Sequence, residues 1–317
     1  MIKLKESLGR LISGLLQDQN FDCLSVGVIK FKSHNYFCVE EIRDENCEKD
    51  KKIYYDLASL TKPLTLGSFY CQKPDLFKKN KQWELLLNHK GGLPSWGRLD
   101  KKSWKRQIMS YMVGPSKTKY SDFSALRLML EIEKGLNVKF ENDLLDFWDE
   151  ETLFWKNLTQ KNYYPRVGHR NGSSIRGVVH DDNAFVIDEF CTHAGMFSTM
   201  QGLCRTLINL EKNFSLLEQM KDAFEENQDD NRFLNGWDTV DIGNGKESLA
   251  GKGCGPLTFG HLGFTGTSIW IDSKKSVGLI ILTNATRDFW YERGSLNHLR
   301  KEIGHFIWSH PTLLLNN

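Results

Sequence analysis

The 317-residue chain is short of the features that would place it in a specialised class. Its charge is nearly balanced, 42 Lys and Arg against 40 Asp and Glu for a net charge of +2, with both signs interspersed. That argues against a nucleic-acid footprint and against a polybasic membrane patch. No apolar run approaches the length of a membrane span. The seven cysteines (Cys23, Cys38, Cys47, Cys71, Cys191, Cys204, Cys254) are scattered, odd in number and never in C-x-x-C spacing. They read as reduced, mostly buried thiols, with neither a disulfide framework nor a zinc site. There is no internal repeat and no low-complexity linker. The N-terminus lacks the unbroken apolar stretch and small-residue cleavage site of a signal peptide, since Lys3, Lys5, Glu6 and Arg10 interrupt it. A cytoplasmic location is the expectation. What remains is a globular chain, 40% hydrophobic and 26% charged, long enough to bury a large core.

The apolar spacing then gives the order of elements. Leu4, Leu8, Leu11, Ile12, Leu15 and Leu16 form the stripe of an amphipathic helix within residues 1–21. Residues 24–31 and 36–42 read as a β-hairpin, and 43–52 as a solvated loop. Residues 82–89 read as a helix closed by Lys90-Gly91-Gly92 and Pro94, and 123–133 as another. The acidic, aromatic stretch 140–155 reads as a further, mostly structural helix. Ser198 with Gln201 three residues on reads as a capping box opening a helix. Residues 264–272 and 277–283 form a second hairpin, and 295–310 a closing helix. Strands at both chain ends, flanked by helices, suggest one antiparallel sheet built from both termini around a helical insertion. The class is α/β (α+β), with a sheet lobe over about 1–58 and 245–317 and a helical lobe over about 59–244.

One junction carries chemistry. In Tyr54-Tyr55-Asp56-Leu57-Ala58-Ser59-Leu60-Thr61-Lys62 a β-type run stops at a small residue, and a serine opens a helix with a lysine three positions later. Residues i and i+3 share a helix face, so the Lys62 amine can reach the Ser59 hydroxyl. A serine needs an adjacent base to be nucleophilic, and a lysine whose pKa is lowered by burial and neighbouring charge can serve. Alone, the pattern fits an N-cap serine beside a solvated lysine equally well.

Two further clusters line up with it in order: Tyr120-Ser121-Asp122 at a loop-to-helix junction, and His261-Leu262-Gly263 just before a strand. The set resembles the serine β-lactamase and penicillin-binding-protein family, in its class C-like branch of esterases and D-alanyl-D-alanine carboxypeptidases. The likeness runs on through LLNHKGGLPSW, VHDDNAF, HAGMFST, GHLGFTGTSIWID and ILTN, nearly the whole chain. It implies a β-lactamase-like fold and acyl transfer through an acyl-serine, on a small-molecule acyl substrate and with no cofactor. Ser59 would be the nucleophile, Lys62 its proton acceptor and Tyr120 a proton shuttle to the leaving group. The backbone N–H groups of Ser59 and Phe264 would form the oxyanion hole. Gly263 would be glycine so that an edge strand can approach the substrate.

Two departures from the family pattern bear on substrate. Asp122 replaces an asparagine, turning a possible amide donor into a carboxylate that can pair with Lys62. His261 and Leu262 replace a lysine and a threonine that bind a substrate carboxylate, and a neutral imidazole beside leucine is a weaker anion site. Both favour an esterase on small acyl esters over a β-lactamase or D-alanyl peptidase, and the intact Ser59, Lys62 and Tyr120 argue against a silent, ligand-binding relative. His169, His180, Asp181 and His193 have no compact zinc spacing. His180 and Asp181 read instead as loop-holding residues, and 193–195 as packing near the cleft floor. The oligomeric state is not legible.

Overall fold

The computed structural model describes residues 2–143, 147–227, 232–240, 248–288, 293–310 and Leu313. Its centre is a seven-stranded sheet in the order Asn35–Ile42, Cys23–Lys30, Val277–Thr283, Ser268–Asp272, Thr258–Leu262, Trp237–Thr239, Phe233–Leu234, every neighbour antiparallel. The two hairpins expected at the chain ends meet in the middle, where Val26 lies opposite both Ile281 and Val39.

Alternation along the strands explains why both faces are covered. Val26, Val28, Leu279 and Ile281 point to one side, where Leu4, Leu8 and Ile12 of helix Ile2–Leu15 and Leu299 and Ile303 of helix Gly294–Ser309 cover them. Ile29, Ile280 and Leu282 point to the other, against Met200, Leu203 and Leu207 of helix Met200–Phe214. Each such side chain stabilises the fold by about 1.5–3 kcal/mol on burial. Gly27 lets that helix settle on the sheet, because a Cβ there would sit 2.4 Å from Met200 Sδ.

Between the sheet strands lies the helical part, with helices Lys81–Leu87, Trp104–Ser110 and Asp122–Leu136 around an edge-to-face aromatic core of Phe69, Phe77, Trp83 and Phe140. A three-stranded sheet, Tyr55–Asp56, Met196–Ser198 and Thr152–Phe154, joins the two parts. Among the described residues no helix is long and apolar enough to cross a membrane. All seven cysteines are free thiols, four of them buried.

Four details differ from the sequence reading. Residues 140–155 are not one helix: Phe140–Asp143 is a single turn and Thr152–Phe154 a strand, while 144–146 lie outside the described residues. Asp149 ends any helix there, its carboxylate accepting the Glu151 N–H and its carbonyl the Thr152 N–H. The cap at the next helix is Thr199, whose hydroxyl accepts from Gly202 N–H at 2.9 Å, while Ser198 is the last strand residue. Only Ser268–Asp272 of 264–272 is strand. The residues before it form a tight turn after Thr258–Leu262, so His261 sits within a strand and not ahead of one. Finally, Phe233–Leu234 and Trp237–Thr239 pair with the main sheet, so the sheet begins ahead of the expected boundary at 244/245, which is itself outside the described residues.

Candidate active site

The presentation of Ser59 starts in the small sheet. Tyr55 and Asp56 pair with Ser198 and Phe197, and Leu57 N–H bonds Met196 carbonyl at 2.9 Å. The chain then turns sharply at Ala58, whose φ of +48° is uncommon for a residue with a Cβ and costs on the order of 1 kcal/mol. Asp56 holds that turn: one carboxylate oxygen accepts from Ala58 N–H at 2.8 Å and the other from His180 N–H at 2.7 Å. Burial pushes the Asp56 carboxyl up to about 7 against the lowering effect of those two donors. A 3-10 turn, Ala58–Leu60, follows, and the helical path continues through a π-turn at Pro63–Gly67, where proline has no N–H to give the regular ladder. The i, i+3 expectation is met, with Lys62 Nζ 3.2 Å from Ser59 Oγ.

Lys62 is almost wholly buried, and its nitrogen is surrounded by acceptors. Besides Ser59 it meets Asp122 Oδ1 at 2.7 Å and His193 carbonyl at 2.9 Å, and it hydrogen-bonds the Tyr120 hydroxyl. Burial alone would lower its pKa, but Asp122 and Tyr120 outweigh burial and raise it, so Lys62 is an ammonium. The direction is opposite to the expected lysine whose pKa is lowered by burial and neighbouring charge: the paired carboxylate decides the sign. The Tyr120 hydroxyl also bonds Ser59, and burial raises its pKa despite Lys62, so it is a neutral phenol.

Tyr120 is fixed by its ring, packed 4.8 Å from His89, 5.8 Å from Phe233 and 5.8 Å from His261 between centroids. His89 had read only as a helix end. It is buried, kept neutral first by burial and then by Lys62, and its Nδ1 accepts Ser121 N–H at 3.2 Å. Ser121 caps the next helix through Ser124 N–H, which places Asp122 in the first turn, where the helix dipole favours its charge.

The third cluster is clamped to the first. Thr265 hydroxyl donates to Asp56 carbonyl at 2.7 Å and Thr267 hydroxyl to Leu57 carbonyl at 3.1 Å. A Cβ on Gly263 would lie 1.9 Å from Thr267 Oγ1 and 2.7 Å from Leu57 carbonyl. Gly263 must therefore be glycine to pack against Thr267 and the Leu57 carbonyl, and it also lines a cavity. Ser59 and Phe264 line the same cavity. His261 is buried and neutral: Nδ1 lies 2.8 Å from Leu262 carbonyl, Nε2 has no partner among the described residues, and burial followed by Lys62 lowers its pKa to about 3.

Ser59, Tyr120, His261 and Phe264 line this cavity of about 800 Å3, together with Arg232, Arg293 and Arg300. Arg293 donates to the Phe264 carbonyl at 2.6 Å. Arg232 is committed to Asp238 at 2.6 Å. Arg300 is 4% exposed, donates to Thr267 carbonyl and Asn297, and meets no carboxylate among the described residues; its Nε has no partner. Burial, with Arg293 close by, lowers its pKa to about 9, still a cation at neutral pH. The expectation of a weak anion site concerned His261 and Leu262; Arg293 and Arg300 line the same cavity as cations that no local motif announces.

Beneath Lys62, Asp181 caps helix Asp182–Ile187 through Ala184 N–H and takes His193 Nε2 at 3.0 Å. Burial opposes that His193 charge, but Cys191 and Asp181 outweigh it and raise the pKa to about 10. Among the described residues the potential metal ligands that converge are Asp22, Cys23 and Asp44, none lining the cavity, and the carboxylates are already taken by Asn284 and Arg176.

Comparison with known proteins bears on the family and the fold. The profile of the family described as Beta-lactamase matches residues 84–298. A curated N-acetylmuramyl-L-alanine amidase of Bacillus subtilis (strain 168) is 29% identical over 270 residues, covering 69% of this chain; the chain spans 60% of that relative's length. Among solved structures, a class C β-lactamase from Rhodobacter sphaeroides aligns with a TM-score of 0.63 at 13% identity, over 94% of this chain and 98% of that one. A β-lactamase from Mycobacterium bovis aligns with a TM-score of 0.59 at 17% identity, over 96% and 99%. At these identities the structural likeness speaks for the fold, while the profile match covers most of the sequence: the chain belongs to the Beta-lactamase family.

Proposed function

We propose that the protein is a serine hydrolase that cleaves small acyl esters through an acyl-Ser59 intermediate. The observation that carries the reading is the convergence of the Ser59 hydroxyl, the Lys62 nitrogen and the Tyr120 hydroxyl at the mouth of a cavity able to hold a small acyl compound. Phe264 and Ser59 backbone N–H groups would hold the oxyanion, and Tyr120 would protonate the leaving group. Esters are favoured because His261, where a cation would meet a substrate carboxylate, is neutral.

A second reading, an amide or β-lactam substrate that carries an anionic group, is favoured by Arg293 and Arg300, which line the same cavity. A relative named as an amidase is consistent with it. One experiment tests both. Intact-mass analysis with a fluorophosphonate should show a single adduct on the wild type and none on Ser59→Ala. The kcat/KM for a short p-nitrophenyl ester should then exceed that for nitrocefin by at least about a hundredfold, roughly 2.7 kcal/mol. Equal labelling of both proteins would refute the nucleophile, and faster nitrocefin turnover would select the second reading.

A further inference from the structure

Lys62 presents a counting problem. An ammonium has three protons. Four acceptor atoms surround this one: Asp122 Oδ1 at 2.7 Å, His193 carbonyl at 2.9 Å, Ser59 Oγ at 3.2 Å and the Tyr120 hydroxyl. Every proton has a taker and no lone pair faces Ser59. Lys62 cannot accept the serine proton unless it first, or in the same motion, gives one up. The His193 carbonyl cannot keep a proton, and the Tyr120 phenol already carries its own. The group that can is the Asp122 carboxylate, which is also the nearest.

We propose that Asp122 is the final acceptor of the Ser59 proton, passed to it through Lys62. This rests on the reading of Ser59 as the nucleophile. As the Ser59 Oγ–C bond to the acyl carbon forms, the Oγ–H bond breaks and its proton passes to Lys62 Nζ. The Nζ–H directed at Asp122 breaks in concert, and an Oδ1–H bond forms. Lys62 remains an ammonium throughout, Asp122 becomes a carboxylic acid, and the carbonyl electron pair becomes the oxyanion. On collapse Asp122 returns its proton to Lys62 as Lys62 passes one to the Tyr120 oxygen, and Tyr120 gives its own hydroxyl proton to the departing oxygen or nitrogen, so that each group regains its starting state. The substitution of a carboxylate for the family's amide then has a purpose: it makes the cluster a relay that works with a charged lysine, instead of one that waits for a neutral amine.

Other charges facing the pair are few. Tyr120 and His89 come from the helix-start side, His261 from the strand, and the His193–Asp181 pair from the floor. His89 and His261 are neutral, and the floor pair is internally balanced, so Asp122 is the carboxylate in contact with Lys62.

The test follows the rate of Ser59 phosphonylation by a fluorophosphonate between pH 6 and 10 in wild type, Asp122→Asn and Asp122→Glu, with thermal melting of all three. In wild type the rate should be nearly level across this range. Asp122→Asn should be at least about a hundredfold slower at pH 6 and should climb about tenfold per pH unit until the pH passes the pKa of Lys62, which loss of the carboxylate lowers, because only a deprotonated Lys62 can then act. Asp122→Glu should recover at least about tenfold over Asn. A variant slowed only by a disturbed site would keep the level profile of wild type, which would overturn the relay. So would an Asp122→Asn rate equal to or above wild type at pH 6. No label on wild-type Ser59 would overturn both the relay and the reading beneath it, whereas label with an undiminished Asp122→Asn rate overturns the relay alone.

Discussion

His193 on the floor of the site and His261 on its strand wall are both buried histidines within reach of Lys62, yet they hold opposite charge states. Burial pushes both toward neutrality. The floor residue has Asp181 at 3.0 Å and is charged up to about pH 10; the wall residue has a backbone carbonyl at Nδ1, no partner among the described residues at Nε2, and is neutral down to about pH 3. Lys62 repeats the lesson with Asp122 at 2.7 Å, and Arg300 shows the remaining case, a buried cation with no carboxylate among the described residues. The partner, and not the depth, sets the charge in this cleft.

The largest expected effect comes from making the floor resemble the wall. Asp181→Asn keeps a cap for helix Asp182–Ile187 but removes the His193 counter-charge, and should cost about 3 kcal/mol in urea unfolding at pH 6. The sign can be checked by pH. A raised pKa contributes stability that is fully present below the unfolded value of about 6.5 and is lost as pH rises through about 10, so the gap between variant and wild type should close near pH 10. A gap that stayed constant from pH 6 to 10 would mean that His193 carries no charge.

Next in size is Tyr120→Phe, which removes a hydroxyl but leaves the ring packed on His89, Phe233 and His261. Ester turnover should fall about a hundredfold while the melting temperature stays close to wild type. Near-full activity would return Tyr120 to a purely packing role.

The smallest effect sharpens the wall. The depressed His261 pKa contributes stability above about 6.5 that is lost as pH falls toward about 3. His261→Leu should flatten the fall in unfolding free energy over that window by up to one proton, about 1.4 kcal/mol per pH unit. Comparing variant with wild type cancels Asp56, whose raised pKa works in the opposite direction. An unchanged slope would show that His261 does not stay neutral.

Much of this molecule was readable along the chain. The N-terminal stripe, both hairpins and the closing helix follow from spacing, and the i, i+3 contact of Ser59 with Lys62 follows from helix geometry; each is a relation between near neighbours that local sterics and burial enforce. Where reading failed, distant partners intervened. Within 140–155, residues 152–154 became a strand because Met196–Ser198 lay ready to pair with them, a partner some forty positions later in the chain. The charge states were the least legible. Nothing near Lys62, His193 or His261 in the sequence says which of them meets a carboxylate, and nothing in the closing helix says that Arg293 and Arg300 face the same cavity as Ser59. Electrostatic energy in a buried site depends on distances of a few ångströms between residues far apart in the chain, so the sequence could name the reacting groups while only the tertiary structure could assign their protons.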